Sequence, residues 1–194
     1  MARRVLLVGS IAIVAALLGY VMFVGLPRWG TRASVQRTTA VTTATPVSVP
    51  APPGRKIKAH LFYVGEDGTR LTSVERDVTY GDNAVEQARE IVAAQIAPVA
   101  EPLVSAIPVG TKLRAVFISE TGQAYVDLSK DVSSAHTGGT LDEMLTIYTL
   151  VNALTENLPA ITAVQLLVDG KEVETLAGHV NLRRPLAKNL AWVQ

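Results

Sequence analysis

The stretch Thr140 to Asn157 (TLDEMLTIYTLVNALTEN) constrains the fold more than any other part of this chain. Leu141, Met144, Leu145, Tyr148, Val151 and Leu154 recur at steps of three and four, which places them on one face of a helix. Thr140 and Glu143 stand at the spacing of a capping box, in which each side chain satisfies a free backbone N–H. Gly138 and Gly139 break the chain just before, and Pro159 stops it just after. Such an apolar stripe needs a sheet to cover, so the flanking segments are read for strands.

They supply them in pairs. Residues 57–64 and 71–78 alternate around the turn Gly65-Glu-Asp-Gly68. Gly81-Asp82-Asn83 offers caps for a helix over residues 84–97, with Val85, Ala88, Val92 and Ile96 aligned and Pro98 ending it. Residues 112–119 and 123–128 form a second hairpin across Glu120-Thr-Gly122. Residues 163–168 and 171–176 form a third across Asp169-Gly170, a pair suited to a type I′ turn. The order β-β-α-β-β-α-β-β predicts an α+β fold of two layers, a largely antiparallel sheet with both helices on one face. Residues 188–194 are loosely patterned and read as a tail, with Leu190 and Trp192 docking on the domain.

The first 53 residues follow other rules. Val5 to Val24 is twenty residues without a charge. As a helix it spans about 30 Å, the hydrocarbon thickness of a bilayer. A retained membrane anchor over residues 1–27 is the preferred reading, with a cleaved signal peptide as the alternative; no Ala-x-Ala site follows closely. Arginines flank both ends of the run, so the positive-inside rule gives no vote; the short amino-terminal tail favours N-terminus in and domain out. Residues 28–56 are rich in Thr, Val, Ala and Pro and read as a linker. Such a tether spans on the order of 30 Å as a coil and about 90 Å as polyproline II.

Charge and composition exclude several functions. Residues 1–53 hold five arginines and no acidic residue, whereas residues 54–194 hold 13 basic and 17 acidic ones. An acidic domain with few aromatics is unsuited to nucleic acid. With no cysteine in the chain, disulfides, a thiol nucleophile, a Cys-ligated metal and lipidation of an N-terminal Cys are all excluded. Ser129, His136 and Asp127 would be the only recruits for a hydrolytic triad, but no Gly-x-Ser-x-Gly elbow presents a nucleophile. Asp127 and Ser129 read instead as a strand end that satisfies local backbone groups. His60, His136 and His179 lack metal-ligand spacing. Gly138-Gly139 before a helix resembles an anion site, but Asp142 and Glu143 in the first turn would repel phosphate, so the glycines read as a tight entry. Tyr148 reads as a core residue with its hydroxyl at the edge, and Gln165 and Lys171 as the solvent face of a hairpin. No catalytic, cofactor-binding or metal residue is assigned.

Several motifs in order then resemble a known family. They are Ile107-Pro-Val-Gly-Thr-Lys-Leu113, Ala124-Tyr-Val-Asp-Leu-Ser129, Gly138-Gly139, Val151-Asn-Ala-Leu-Thr155 and Val164-Gln-Leu-Leu-Val-Asp-Gly170. Together they resemble the GerMN domain, named for spore formation and germination, over residues 57–187. The chain carries one such domain where the spore protein has two, and lacks the lipid-attachment cysteine. The resemblance implies a non-enzymatic, extracytoplasmic interaction or assembly module without cofactor, similar to ring-building motifs of secretion-like assemblies and held at the inner membrane. Implied partners are envelope proteins or further copies of the chain, with no small-molecule substrate. The competing reading is a protein that binds or hydrolyses an envelope polymer such as peptidoglycan. A hairpin-rich sheet also leaves edge strands able to template another chain.

Overall fold

The computed structural model describes residues 54–194. The membrane helix expected over residues 5–24, and the tract 28–56 up to its last three residues, lie outside them. Among the described residues no helix is long and apolar enough to cross a membrane.

The chain is α+β, and its elements arrive in the expected order. β1 (Lys56–Val64) and β2 (Leu71–Thr79) pair antiparallel, Lys56 opposite Thr79 and Val64 opposite Leu71. α1 (Ala84–Ile96) is capped by Asn83, whose Oδ1 accepts the Glu86 N–H at 3.0 Å. The Glu86 carboxylate in turn accepts the Asp82 N–H at 3.0 Å. β3 (Leu113–Ile118) and β4 (Gln123–Leu128) form the second hairpin. A single turn, α2 (Asp131–Ser134), precedes α3 (Thr140–Asn157). Then come β5 (Ala163–Val168), β6 (Lys171–Glu172), β7 (Leu186–Ala187) and a 3₁₀ turn, Leu190–Trp192. Asp169 and Gly170 both take positive φ, 48° and 77°, as a type I′ turn demands.

The strands divide into two sheets. β1 and β2 stand alone, while β3-β4-β5-β6 form the second sheet, with β7 also on β5. Most pairings are antiparallel, but β4 and β5 run parallel, Gln123 opposite Ala163 and Leu128 opposite Val168. The cause is α3, which lies between them in sequence and serves as the crossover that parallel strands need. α3 packs on β1 of the small sheet, on β5 and β7 of the large one, and on α1.

Its burial differs from the expected single stripe. Leu145, Val151 and Leu154 are buried, but Leu141, Met144 and Tyr148 are only half-buried, and Thr149 to Thr155 are buried without a break. Over that second half the helix is enclosed around its circumference and is a core element, not a lid. The expected capping box is also absent. Gly139, at φ 90°, is the N-cap, Thr140 already lies in the helix, and no side chain caps it. The Glu143 N–H begins the ladder on the Gly139 carbonyl, and its side chain goes elsewhere.

Side-chain amides from the helices complete the small sheet. Gln95 of α1 accepts the Phe62 N–H and donates to the Phe62 carbonyl, both at 2.8 Å. Asn157 at the end of α3 does the same for His60, again at 2.8 Å in each direction. The Val64 N–H reaches the Val104 carbonyl at 2.8 Å. Each group stands where a third strand would pair with β1. Residues 188–194 return along the other side. The Asn189 backbone is held by the Asn152 amide, Val193 bridges Leu71 in parallel, and the Gln194 N–H donates to the Leu71 carbonyl.

Two substitutions test this accounting. Gln95→Ala strands a buried N–H and C=O of β1 and should lower unfolding stability by about 2–4 kcal/mol. Thr149 Oγ1 is buried without a partner, so Thr149→Val should be neutral or stabilise by up to about 1 kcal/mol. Urea unfolding of both variants checks the pair; equal destabilisation by the two would contradict it.

Candidate functional site

The polar residues of α3 that face inward recur at steps of three: Glu143, Thr146, Thr149, Asn152 and Thr155. All are buried, and all but Thr149 find a partner inside the protein. Thr155 bonds back to the Val151 carbonyl at 2.7 Å. Asn152 holds residue 189 as described. Glu143 and Thr146 hold loops near the start of the helix, and the two loops that meet Thr146, around Ala106 and His136, shape a cleft in the described surface.

Glu143 is fully buried. Its Oε1 accepts the N–H groups of Leu176 at 2.7 Å and Ala177 at 3.0 Å. Its Oε2 accepts the His179 N–H at 2.8 Å and lies 3.2 Å from His179 Nδ1. Burial pushes this carboxyl up, but the N–H groups of Ala177, His179, Leu176 and Val180 outweigh it and hold it below its ordinary value of 4.5. This capture explains why the third hairpin is short. The strand expected over residues 171–176 stops at Glu172 because the following backbone turns toward Glu143. The same loop covers β5, and Gln165, expected on the solvent face, is buried with its amide donating to the Leu182 carbonyl at 2.5 Å. Lys171 is exposed.

Thr146 organises the second loop. Its hydroxyl lies 2.6 Å from the Ala106 carbonyl and 2.9 Å from that of Asp142. His136 Nδ1 accepts the Gly138 N–H at 3.0 Å, which assigns the ring proton to Nε2, 3.1 Å from Thr146 Oγ1. Between these loops lies a cleft of about 480 Å³. Leu145, His136, Thr146 and Asp142 line it, and Val104 and Val109 are 55% and 96% exposed at its rim. Asp142 is the single carboxylate on the cleft wall, and Thr137 donates to it at 3.3 Å. An apolar rim over an internally bonded polar floor offers a contact surface for another chain.

The residues weighed for a triad have separate partners. Asp127 accepts the Gly170 N–H at 2.7 Å and pairs with Arg114 at 3.0 Å, so it anchors a turn far along the chain and not a local backbone group. Ser129 accepts the Lys112 N–H and donates to Asp131. His60 bonds Ser73, His136 bonds Thr146 and His179 meets Glu143, three different neighbourhoods. Gly138 and Gly139 take φ of 87° and 90° and shape the entry to α3. The cleft itself was missed in the sequence, although the three-residue spacing of polar side chains along α3 was visible there.

Comparison with known proteins bears on the whole domain. The family described as "Germane: Sporulation and spore germination" matches residues 60–174. Tandem GerMN domains of the sporulation protein GerM from Bacillus subtilis superpose with a TM-score of 0.53 at 16% identity, over 69% of this chain and 46% of that one. The first GerMN domain of the same protein gives 0.49 at 19% identity, over 68% and 97%. A Clostridium perfringens protein solved as a candidate lipoprotein gives 0.49 at 22%, over 69% and 88%. No curated protein matches the chain.

The Glu143 anchor predicts a particular response to acid. Above its ordinary value of 4.5 the carboxylate is ionised in both folded and unfolded chains, and its contribution is complete. As pH falls through 4.5 toward the lower folded value, the unfolded chain takes up its proton first and the contribution is lost. Glu143→Gln should cost about 2–4 kcal/mol at neutral pH and remove this part of the acid dependence. Urea unfolding of both proteins at pH 7 and near pH 4 measures it; parallel losses would show that Glu143 is not responsible.

Proposed function

This chain belongs to the Germane family of sporulation and spore germination, and from that premise we propose a membrane-anchored, extracytoplasmic interaction module of the cell envelope. Anchoring rests on the uncharged run Val5–Val24, followed by a Pro- and Thr-rich tract before the domain. The single observation that carries the interaction reading is the cleft. Its rim exposes Val104 and Val109, while its floor groups His136 and Thr146 are engaged in holding loops. Exposed apolar side chains over a fixed floor suit the burial of a partner's surface. They are less suited to chemistry. Hydrolysis of an envelope polysaccharide uses two carboxylates about 5–9.5 Å apart, and the cleft wall holds Asp142 alone. On this reading the domain is non-catalytic and acts by positioning other envelope proteins or further copies of itself. Tethering confines it near the bilayer, where weak contacts gain effective concentration.

Two measurements test the proposal. A reporter active only outside the cytoplasm, fused after Gln194, should be active; its silence, with activity of a second fusion whose reporter works only in the cytoplasm, would overturn the topology. A photo-crosslinking residue at Val109 should capture a neighbour in native membranes, whereas one at exposed Lys171 should not. Val104→Lys should abolish that adduct while changing stability by less than about 1 kcal/mol. An adduct that persists in Val104→Lys would separate partner binding from the cleft.

A further inference from the structure

The small sheet has two edges, and the fold treats them differently. On β1, His60, Phe62 and Val64 turn their backbone groups away from β2 and are closed by Asn157, Gln95 and Val104, whereas exposed Lys58, which turns the same way, has no such partner among the described residues. Cross-strand register then fixes which residues of β2 turn outward: Leu71, Ser73, Glu75 and Asp77, opposite Val64, Phe62, His60 and Lys58. Leu71 confirms it, since its carbonyl accepts the Gln194 N–H at 2.9 Å. Ser73, Glu75 and Asp77 are exposed, and among the described residues no partner engages their outward backbone groups.

We propose that this open edge, Ser73 to Asp77, docks an extended segment of another protein that alternates basic with apolar residues. The edge already accepts extended chain, because Val193 bridges Leu71 in parallel at its start. Three outward residues, spaced about 6.8 Å apart, offer up to about six backbone hydrogen bonds. Charge selects the occupant. Glu75 and Asp77 project on the same face and hold a cation there already, Lys58 Nζ lying 2.9 Å from Asp77 and 3.7 Å from Glu75. Those three side chains are more than half exposed, so an incoming Lys or Arg can replace or join Lys58 at little cost. On the other face half-buried Val74 and the stem of exposed Arg76 lie beside the intervening residues, with Val78 buried just beyond the edge. A second copy is disfavoured: antiparallel pairing through these residues sets Glu75 against Glu75 or Asp77, and like charges directly opposite repel. The inference concerns β2 alone and does not depend on the cleft.

The test uses the full chain in detergent micelles, with short synthetic peptides alternating lysine with valine or glutamate with valine. Backbone amide exchange should slow by about ten-fold or more across β2 with the lysine peptide at low salt. It should be unchanged with the glutamate peptide. Glu75→Lys with Asp77→Lys should exchange the two preferences, and Glu75→Gln with Asp77→Asn should erase them. Equal protection by both peptides in the unaltered protein, protection at the cleft instead of β2, or protection that grows with protein concentration in the absence of peptide would each overturn the proposal.

Discussion

The structure depends on the need to pair the buried polar groups of α3. The buried side of this helix cannot turn its polar residues to water, and an unpaired buried donor or acceptor costs about 1–3 kcal/mol. Thr149 is left unpaired and Thr155 bonds within the helix, but the others each fix the position of something outside it. Glu143 gathers residues 176–179, Thr146 the Ala106 and His136 loops, and Asn152 residue 189. Asn157 closes β1. Four irregular segments without secondary structure to order them thus take their places from one helix. The cleft at its amino-terminal end is the gap between two of them.

A related device operates at strand edges. Carboxamides present a donor and an acceptor side by side, the same pair that a neighbouring strand presents. Gln95 and Asn157 use this on β1, and Gln87 uses it on the chain around Thr79 and Gly81. The β1 edge is thereby closed from His60 to Val64 without a third strand, which keeps that stretch from pairing indiscriminately. The opposite edge relies on charge, a selective barrier in place of a complete one.

Local signals in the sequence were read well because local physics decided them. Asn83 caps α1, Asp169-Gly170 turns a hairpin, and residues 123–128 and 163–168 are strands as their alternation predicts. What failed was decided by groups far along the chain. Thr140 and Glu143 have capping-box spacing, yet the left-handed Gly139 places Thr140 inside the helix and frees Glu143 for a loop more than thirty residues on. Gln165 looked solvent-facing because nothing nearby announced the loop that covers it. The parallel pairing of β4 and β5 followed from what lies between them and not from either strand's pattern. The cleft was invisible for the same reason: residues 98–110 carry no periodicity, and their position comes from Thr146.

The separation of β1 from Asn157 also sets an order of events during synthesis. The β1–β2 hairpin is made early, but the amide that closes His60 lies 97 residues further on. The residue that bridges Leu71, Val193, comes later still. At roughly 5–20 residues per second, the nascent hairpin waits several seconds before either closure can form. Until then Gln95 and Val104 close only the Phe62 and Val64 part of one flank, and His60 stays open. The hairpin is therefore secured in stages, Phe62 and Val64 by segments made soon after it and His60 only by the distant end of α3.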